Sequence, residues 1–267
     1  MGYNTTGLSH SNGLKGEKVV AEMLGTNTLL QSYLGGVSSV VKRGGTQYKE
    51  DIAFTRDPSS DFLGISVKNR SKKSGTFDWI NSTALVNDIP GTQSLLAYHS
   101  QYSQAYAGTK KDENIKKKHY QALKDACSNV LDSMSPDDIR QVMQGVFSSY
   151  RKKQEFFVAV YYASEATTKW FEFNESHPIV PILDDQAATF FFKKGRGTAS
   201  RQLWYEKDGQ EHNTHLRFRL GLNNGASAWL AGKDWSSNAT SVITVKIQQD
   251  NPDKVLESIN ELREFVV

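Results

Sequence analysis

Residues 48–73 read YKEDIAFTRDPSSDFLGISVKNRSKK and contain two short apolar runs on either side of a turn. The runs DIAF (51–54) and FLGISVK (62–68) are rich in the β-branched and aromatic residues that favour strands, and the Asp, Pro and Ser residues between them favour a turn. The stretch therefore predicts two neighbouring strands. It places an acid, Asp51, at the start of the first strand and a base, Lys68, at the end of the second.

The predicted pairing can bring three polar side chains to one patch. Alternate side chains of a strand share a face and stand about 6.6–6.8 Å apart, so Ser66 and Lys68 point the same way and Asp51 can reach them from the adjacent strand. A carboxylate can hold Mg²⁺, which keeps several waters and takes its other ligands from phosphate oxygens. The metal and the lysine can then stabilise the charge on a phosphate that water attacks. Ser66 is the exception, because a hydroxyl is a poor Mg²⁺ ligand beside a carboxylate.

The rest of the chain has the pattern of a mixed α/β (α+β) protein. Apolar spacing predicts a short helix at 12–25, a strand at 37–41 and two helices across 114–150. From residue 155 onward, short aromatic and β-branched runs alternate with Gly, Asn, Asp and Pro, which indicates β-structure. The final stretch, NPDKVLESINELREFV (251–266), predicts a C-terminal helix with its proline in the first turn.

The organisation of the chain favours one composite domain over residues 1–267, because the sequence has no internal repeat and no low-complexity linker. A chain of this length can bury a substantial core without disulfides. We expect the core at about 12–90, a helical part at about 91–153, and a β-rich part with the C-terminal helix at about 154–267.

Composition points to a cytoplasmic protein with no membrane span. The chain has one cysteine, Cys127, which excludes an intramolecular disulfide and a cysteine-based zinc cluster, and its helical spacing predicts a core position. No apolar stretch approaches the ~20 residues that a membrane helix needs. The mean hydropathy of -0.54 agrees with a polar globule.

Positive charge is clustered, although the net charge is only +3. One basic cluster alone is typical of a solvated face, but several together favour a partner with a phosphate backbone. The clusters are VKRGG (41–45), KNRSKK (68–73), KKDENIKKK (110–118), YRKK (150–153) and KKGRGTASR (193–201).

The predicted first helix carries an acid on its apolar side. Glu17 lies three, four and seven residues before Val20, Ala21 and Leu24. An unpaired carboxylate is costly to bury. Glu17 is therefore either a boundary residue that reaches solvent or an arginine, or a carboxylate directed inward at a metal or a lysine. The residues alone leave both readings open.

Two stretches resemble the MspI-like branch of the PD-(D/E)xK restriction endonucleases, which cut four-base sites. GGTQYKEDIAF (44–54) followed by ISVKNRSKK (65–73) is similar to their catalytic stretch, and NGLKGEKVVAEML (12–24) is similar to their first helix. The resemblance covers roughly residues 12–80. It implies a restriction-endonuclease-like core with a mixed central sheet flanked by helices, a helical middle insertion and a β-rich C-terminal part that reads DNA.

The same resemblance implies a function and a role for each matched residue. The protein would be a Mg²⁺- or Mn²⁺-dependent type II restriction endonuclease, a hydrolase that cuts double-stranded DNA at a specific sequence. Asp51 would bind the metal, Lys68 would be the catalytic lysine, and Glu17 would point towards the active site. Ser66 occupies a ligand position that is already a neutral amide in this branch, and the Val67 carbonyl would be a further metal ligand. The departure at Ser66 leaves the number of metal ions open.

Specific cleavage also requires contacts to phosphates and to base edges. In KKGRGTASRQ (193–202), two glycines would let Arg196 approach a groove closely, although a mobile hairpin tip explains the pattern equally well. HLRFRLGLNNG (215–225) is a second candidate, which the outward face of an ordinary strand also explains. The predicted DNA contacts are Lys42, Arg43, Arg70, Lys72, Lys73, Arg196, Arg201 and Gln202.

Partners and alternatives follow from the same pattern. The resemblance implies double-stranded DNA and a cognate DNA methyltransferase in the same host, and it leaves a monomer and a homodimer both open. A structure-specific repair or junction nuclease would use the same chemistry. From another class, the chain could be a catalytically inactive DNA-binding protein on a nuclease fold that lost its acid at Ser66.

Overall fold

The fold is mixed α and β, with two sheets, in a computed structural model of the 267-residue chain. The structure describes residues 5–43, 50–70, 76–82, 89–93, 97, 113–147, 155–173, 177–195, 200–222 and 243–267. The helices are α1 (Thr5–Thr26), α2 (Thr28–Tyr33), α3 (Glu113–Ser133), α4 (Pro136–Phe147), α5 (Ile179–Asp184) and α6 (Pro252–Glu257). The strands are β1 (Ser39–Lys42), β2 (Ile52–Thr55), β3 (Leu63–Arg70), β4 (Phe77–Ser82), β5 (Glu155–Tyr162), β6 (Thr167–Glu172), β7 (Thr189–Lys194), β8 (Ser200–Lys207), β9 (Gln210–Leu222), β10 (Ile243–Gln249) and β11 (Arg263–Val266).

The chain divides into two compact units, and each is built from segments that are distant in the sequence. The five-stranded unit consists of Asp78–Met143 and Asp185–Asp250 together with Met1–Gly2. The six-stranded unit consists of Tyr3–Phe77, Gln144–Asp184 and Asn251–Val267. The three consecutive regions expected from the sequence therefore do not coincide with the two units.

The six-stranded unit contains a mixed sheet in the order β1-β2-β3-β5-β6-β11. Strands β1, β2 and β3 form an antiparallel series, and β3 then pairs in parallel with β5. The remaining pairs, β5 with β6 and β6 with β11, are antiparallel. The three N-terminal strands predicted from the sequence are thus confirmed, with ends that shift by one or two residues.

The core of this unit lies between α1, α2 and one face of the sheet. Along β2, Ile52 and Phe54 alternate towards this core, and Ile65 of β3 joins them. Burying an aliphatic or aromatic side chain of this kind contributes about 1.5–3 kcal/mol. The other members of the buried cluster are Val20, Met23, Leu24, Leu30, Leu34, Phe157, Ala159 and Trp170. Helix α1 is longer than predicted, because residues before 12 lack the apolar spacing on which the prediction relied.

The predicted C-terminal helix is wrong over its second half. Helix α6 begins at Pro252, as expected, but ends at Glu257, and Arg263–Val266 form β11 at the edge of the six-stranded sheet. Asn251 precedes the helix with a left-handed backbone (φ 47°) and makes no side-chain cap. A positive φ of 60° at Glu261 redirects the chain before β11. Pairing with β6, in the register Val266↔Thr167, outweighs the helical spacing of the sequence.

The five-stranded unit contains a sheet in the order β4-β10-β9-β8-β7. Alternation along its strands sends one set of side chains into a buried layer, which includes Phe190, Leu203, Leu216, Phe218, Leu220, Val245 and Ile247. Helix α3 packs on β9. Cys127 of α3 is 3% exposed, which confirms its predicted place in the core, and burial raises the pKa of its thiol to about 12. A thiol in this state is a poor nucleophile.

None of the described helices combines the length and the apolar character that crossing a bilayer requires.

Candidate active site

The structure fixes Asp51 at the junction of three strands. Its N–H group donates to the carbonyl of Ile65 (2.9 Å), and its own carbonyl accepts from the N–H group of Arg43 (3.0 Å). Its side-chain Oδ2 accepts a hydrogen bond of 2.7 Å from the N–H group of Val67. Because Asp51 bonds to the residues on both sides of Ser66, the carboxylate lies beside the position at which the sequence pattern expects a second acid.

Strand β3 presents Ser66 and Lys68 on the face opposite α1. Ile65 and Val67 belong to the apolar cluster under that helix, and side chains alternate along a strand. Ser66 is only 2% exposed, whereas Lys68 is partly buried. Three predicted site residues, Asp51, Ser66 and Lys68, therefore share one section of the β2–β3 pair. The contact made by Val67 uses its N–H group, and its carbonyl stays a predicted ligand.

Glu17 lies near the same end of β3. It is half-buried in α1, and the preceding Gly16 packs on Asn69, the residue after Lys68. A Cβ atom at Gly16 would come within 3.3 Å of the Asn69 Cβ, so the helix turn that carries Glu17 crosses β3 closely. Glu50, the residue before Asp51, is 4% exposed and forms an ion pair with Arg43. Of these two acids, Glu50 is thus committed to a contact within the protein.

The predicted DNA contacts fall into three groups. Lys42 is exposed on β1 and Gln202 is half-buried on β8. Lys72, Lys73 and Arg196 lie outside the described residues. The other three, Arg43, Arg70 and Arg201, form ion pairs with Glu50, Asp253 and Asp132 respectively. These three arginines are therefore paired within the protein. The sequence did not indicate the pairs, because only the fold brings each acid next to its arginine.

Arg201 shows most clearly how such a pair is built. Its Nε and Nη2 atoms donate to the two carboxylate oxygens of Asp132 (2.7 Å each), and Nη2 also donates to the Ser128 hydroxyl (3.1 Å). The Arg201 side chain is 4% exposed and the Asp132 side chain 51%. The bidentate pair fastens the start of β8 to α3, so Arg201 is better explained as a structural link than as a base contact.

This pair predicts a pH-dependent loss of stability in Asp132→Asn. Hydrogen bonds from Arg201 lower the pKa of the Asp132 carboxyl below its ordinary value of 3.8, so the stabilisation is present above that value and is lost as the pH falls through the lower, folded-state pKa. We expect the substitution to lower the free energy of unfolding by about 1–3 kcal/mol at neutral pH, because it leaves a buried guanidinium poorly paired. Urea unfolding of both proteins should give a difference that shrinks at acidic pH.

The matched control is Asp208→Asn, an exposed acid in the turn between β8 and β9. Its backbone has a φ of 52°, which Asn tolerates as well as Asp does. This control should change stability little at any pH. A difference for Asp132→Asn that stays constant from neutral to acidic pH would contradict the assignment.

The second candidate stretch for DNA reading has the alternation expected of an ordinary strand. Leu216, Phe218 and Leu220 of β9 are buried, and the arginines between them face the other way. Arg217 forms a bidentate ion pair with Asp250, with Nη2–Oδ1 and Nε–Oδ2 distances of 2.7 and 3.1 Å. Arg219 is exposed. This face is polar, but part of its positive charge is already neutralised.

The Arg43–Glu50 pair is the feature of the site that sequence reasoning missed. The β1–β2 register, Lys42↔Ile52, places the two residues at facing strand ends. Predicted strand boundaries do not fix a register, so the sequence contained only two opposite charges seven residues apart as a signal for this pair.

Chemically, the β2–β3 junction offers oxygen donors from Asp51 and Ser66 and a nearby lysine. Comparison of the sequence with models of known protein families gives no match, and comparison with curated proteins gives no significant match.

Proposed function

We propose that this chain is a metal-dependent endonuclease of the PD-(D/E)xK type, a type II restriction endonuclease that hydrolyses phosphodiester bonds in double-stranded DNA. One observation carries the proposal. The Asp51 carboxylate, immediately before β2, accepts a hydrogen bond from the β3 backbone at Val67, between Ser66 and Lys68. In the motif an acid lies at the start of one strand and a lysine near the end of the next, so this placement supports the proposal.

The fold supports the proposal in a second way. The antiparallel series β1–β2–β3, followed by β5 in parallel, makes a mixed sheet, and α1 packs on its β3, β1 and β5 strands. A restriction-endonuclease-like core would have this mixed central sheet with its first helix beside the catalytic strands. The five-stranded unit would then belong to the part of the protein that reads DNA.

The residues at the junction fit a hard divalent cation, because Asp51 and Ser66 offer only oxygen donors. Bound Mg²⁺ or Mn²⁺ would lower the pKa of a coordinated water and neutralise charge on the scissile phosphate. Asp51 would hold the cation, with its carboxylate oriented by the Val67 N–H group. Lys68 would stabilise the negative charge that builds on the phosphate as the water oxygen bonds to phosphorus and one P–O ester bond breaks.

Ser66 supports a second candidate, a DNA-binding protein that keeps the nuclease fold without catalysis. The residue is buried and neutral at the position of an expected acid. A protein of this kind would show the salt dependence of phosphate contacts but little need for divalent ions.

The test is digestion of plasmid DNA by the purified protein with Mg²⁺ and with EDTA, followed by sequencing of the cut ends. Discrete fragments with Mg²⁺ alone would support the proposal and reveal the recognition site. Plasmid methylated at that site would resist cutting if a cognate methyltransferase protects the host. Cleavage confined to branched oligonucleotides would point instead to a junction nuclease, and intact DNA with a gel shift would favour the inactive binder.

A further inference from the structure

Arg43 joins the end of β1 to the residues that precede β2. Its Nη1 atom lies 2.8 Å from Oε1 of Glu50, and the two side chains are only 16% and 5% exposed. Its guanidinium also stacks on Phe62, with the Cζ atom 4.7 Å from the ring centroid. The backbone N–H group of Arg43 donates to the carbonyl of Asp51 at 3.0 Å. One residue thus contacts both Glu50 and Asp51.

These contacts restrict the direction of the Asp51 carboxylate. Glu50 and Asp51 both precede β2, and Asp51 forms a bend there; the guanidinium of Arg43 holds the Glu50 carboxylate, and its N–H group holds the Asp51 carbonyl. Because Arg43 holds both residues, the short segment from which the Asp51 side chain projects has little freedom, and Glu50 stays paired because a buried carboxylate needs its cationic partner. The stack on Phe62 in turn limits the positions that the guanidinium can adopt.

We propose that Arg43 is a positioning residue for Asp51, acting through Glu50, rather than the DNA contact that the basic cluster at 41–45 suggested. This inference rests on the function proposed above for Asp51. The Arg43–Glu50 pair would keep the Asp51 carboxylate in the orientation in which it accepts the hydrogen bond from Val67 and can hold a metal. Arg43 and Glu50 would themselves touch neither metal nor DNA.

Variants of the two partners separate this role from a DNA contact. Glu50→Gln is nearly isosteric and removes the charge that Arg43 holds, and Arg43→Gln removes the other partner. We expect both to raise the Mg²⁺ concentration for half-maximal cleavage by about tenfold, with DNA affinity in EDTA changed less than about twofold. Arg43→Lys, which keeps the charge, should recover part of the effect. Lys18→Gln on the exposed side of α1 is the control and should change neither quantity.

A phosphate contact gives the opposite pattern. Arg43→Gln would then weaken DNA binding in EDTA and reduce the salt slope by about one, while Glu50→Gln would have no such effect. That result would overturn the inference, as would an unchanged Mg²⁺ requirement in Glu50→Gln. Thermal unfolding of each variant shows whether it is folded, and Glu50→Gln and Arg43→Lys provide the result if Arg43→Gln does not fold.

A second measurement distinguishes failure of the inference from failure of the proposed function. The affinity of the DNA-free protein for Mn²⁺, measured by electron paramagnetic resonance, does not require turnover. If the wild-type protein binds Mn²⁺ but cuts no DNA, the proposed nuclease activity fails, and weaker Mn²⁺ binding in Glu50→Gln still supports the positioning role. If the wild type cuts DNA and Glu50→Gln binds Mn²⁺ as tightly as the wild type, only the positioning role fails.

Discussion

Lys68→Ala is expected to slow DNA cleavage by about 10²–10³-fold, the usual effect of removing one group that stabilises transition-state charge. Lys68 follows Ser66 and Val67 on β3, next to the Asp51 carboxylate, so its loss should act on the chemical step. DNA affinity measured in EDTA should change little, because one phosphate contact among several contributes only a small part of the binding free energy. Single-turnover cleavage and a gel shift on the same substrate measure the two quantities separately.

The control for this substitution is Lys18→Ala, because Lys18 is an exposed lysine of α1 in the same unit. It should cleave at the wild-type rate. Retention of full activity by Lys68→Ala would remove the lysine from the catalytic machinery. Loss of activity and binding together, with a lowered unfolding temperature, would indicate a structural role for Lys68.

Asp51→Asn is expected to slow cleavage by about 10³-fold, which corresponds to about 4 kcal/mol of lost transition-state stabilisation. The amide oxygen can still accept the hydrogen bond from the Val67 N–H group, so the β2–β3 junction should stay intact. What the substitution removes is the negative charge that would hold the metal. Raising the Mg²⁺ or Mn²⁺ concentration should restore part of the rate, and a metal titration of cleavage measures this.

A nearby acid provides the matched control. Asp61 is exposed and precedes β3, so Asp61→Asn removes the same charge from the same unit without touching the junction. Its metal titration should match that of the wild type. If Asp51→Asn also matched the wild type, the catalytic centre would lie elsewhere in the chain.

The N-terminal strands could be predicted because their signals are local. β2 and β3 carry apolar residues at strand spacing with a Pro-containing turn between them; Asp51 immediately precedes β2, and Lys68 lies two residues before the end of β3. That local pattern is enough to predict the two paired strands on which Asp51, Ser66 and Lys68 lie.

The features that could not be predicted depend on contacts between residues that are distant in the sequence. The apolar spacing of β11 suits either a helix or a strand, and its partner strand, β6, lies about a hundred residues earlier. The ion pair of Arg201 could not be predicted either, because Asp132 is 69 residues away in sequence. In both cases the deciding interaction is a strand pair or an ion pair that only the completed fold defines.

The interleaving of the two units has a consequence for biosynthesis. The sheet that carries Asp51 and Lys68 takes strands from both ends of the chain, since β3 pairs with β5 and β11 completes its edge. Contacts between such distant segments make folding slow, and each strand pair can form only after its later strand has been synthesised. The six-stranded sheet is therefore completed only after β11 has left the ribosome, and a shorter nascent chain carries an unfinished sheet. For a protein proposed to cut DNA, activity that depends on the complete sheet would then appear only after β11 has been synthesised.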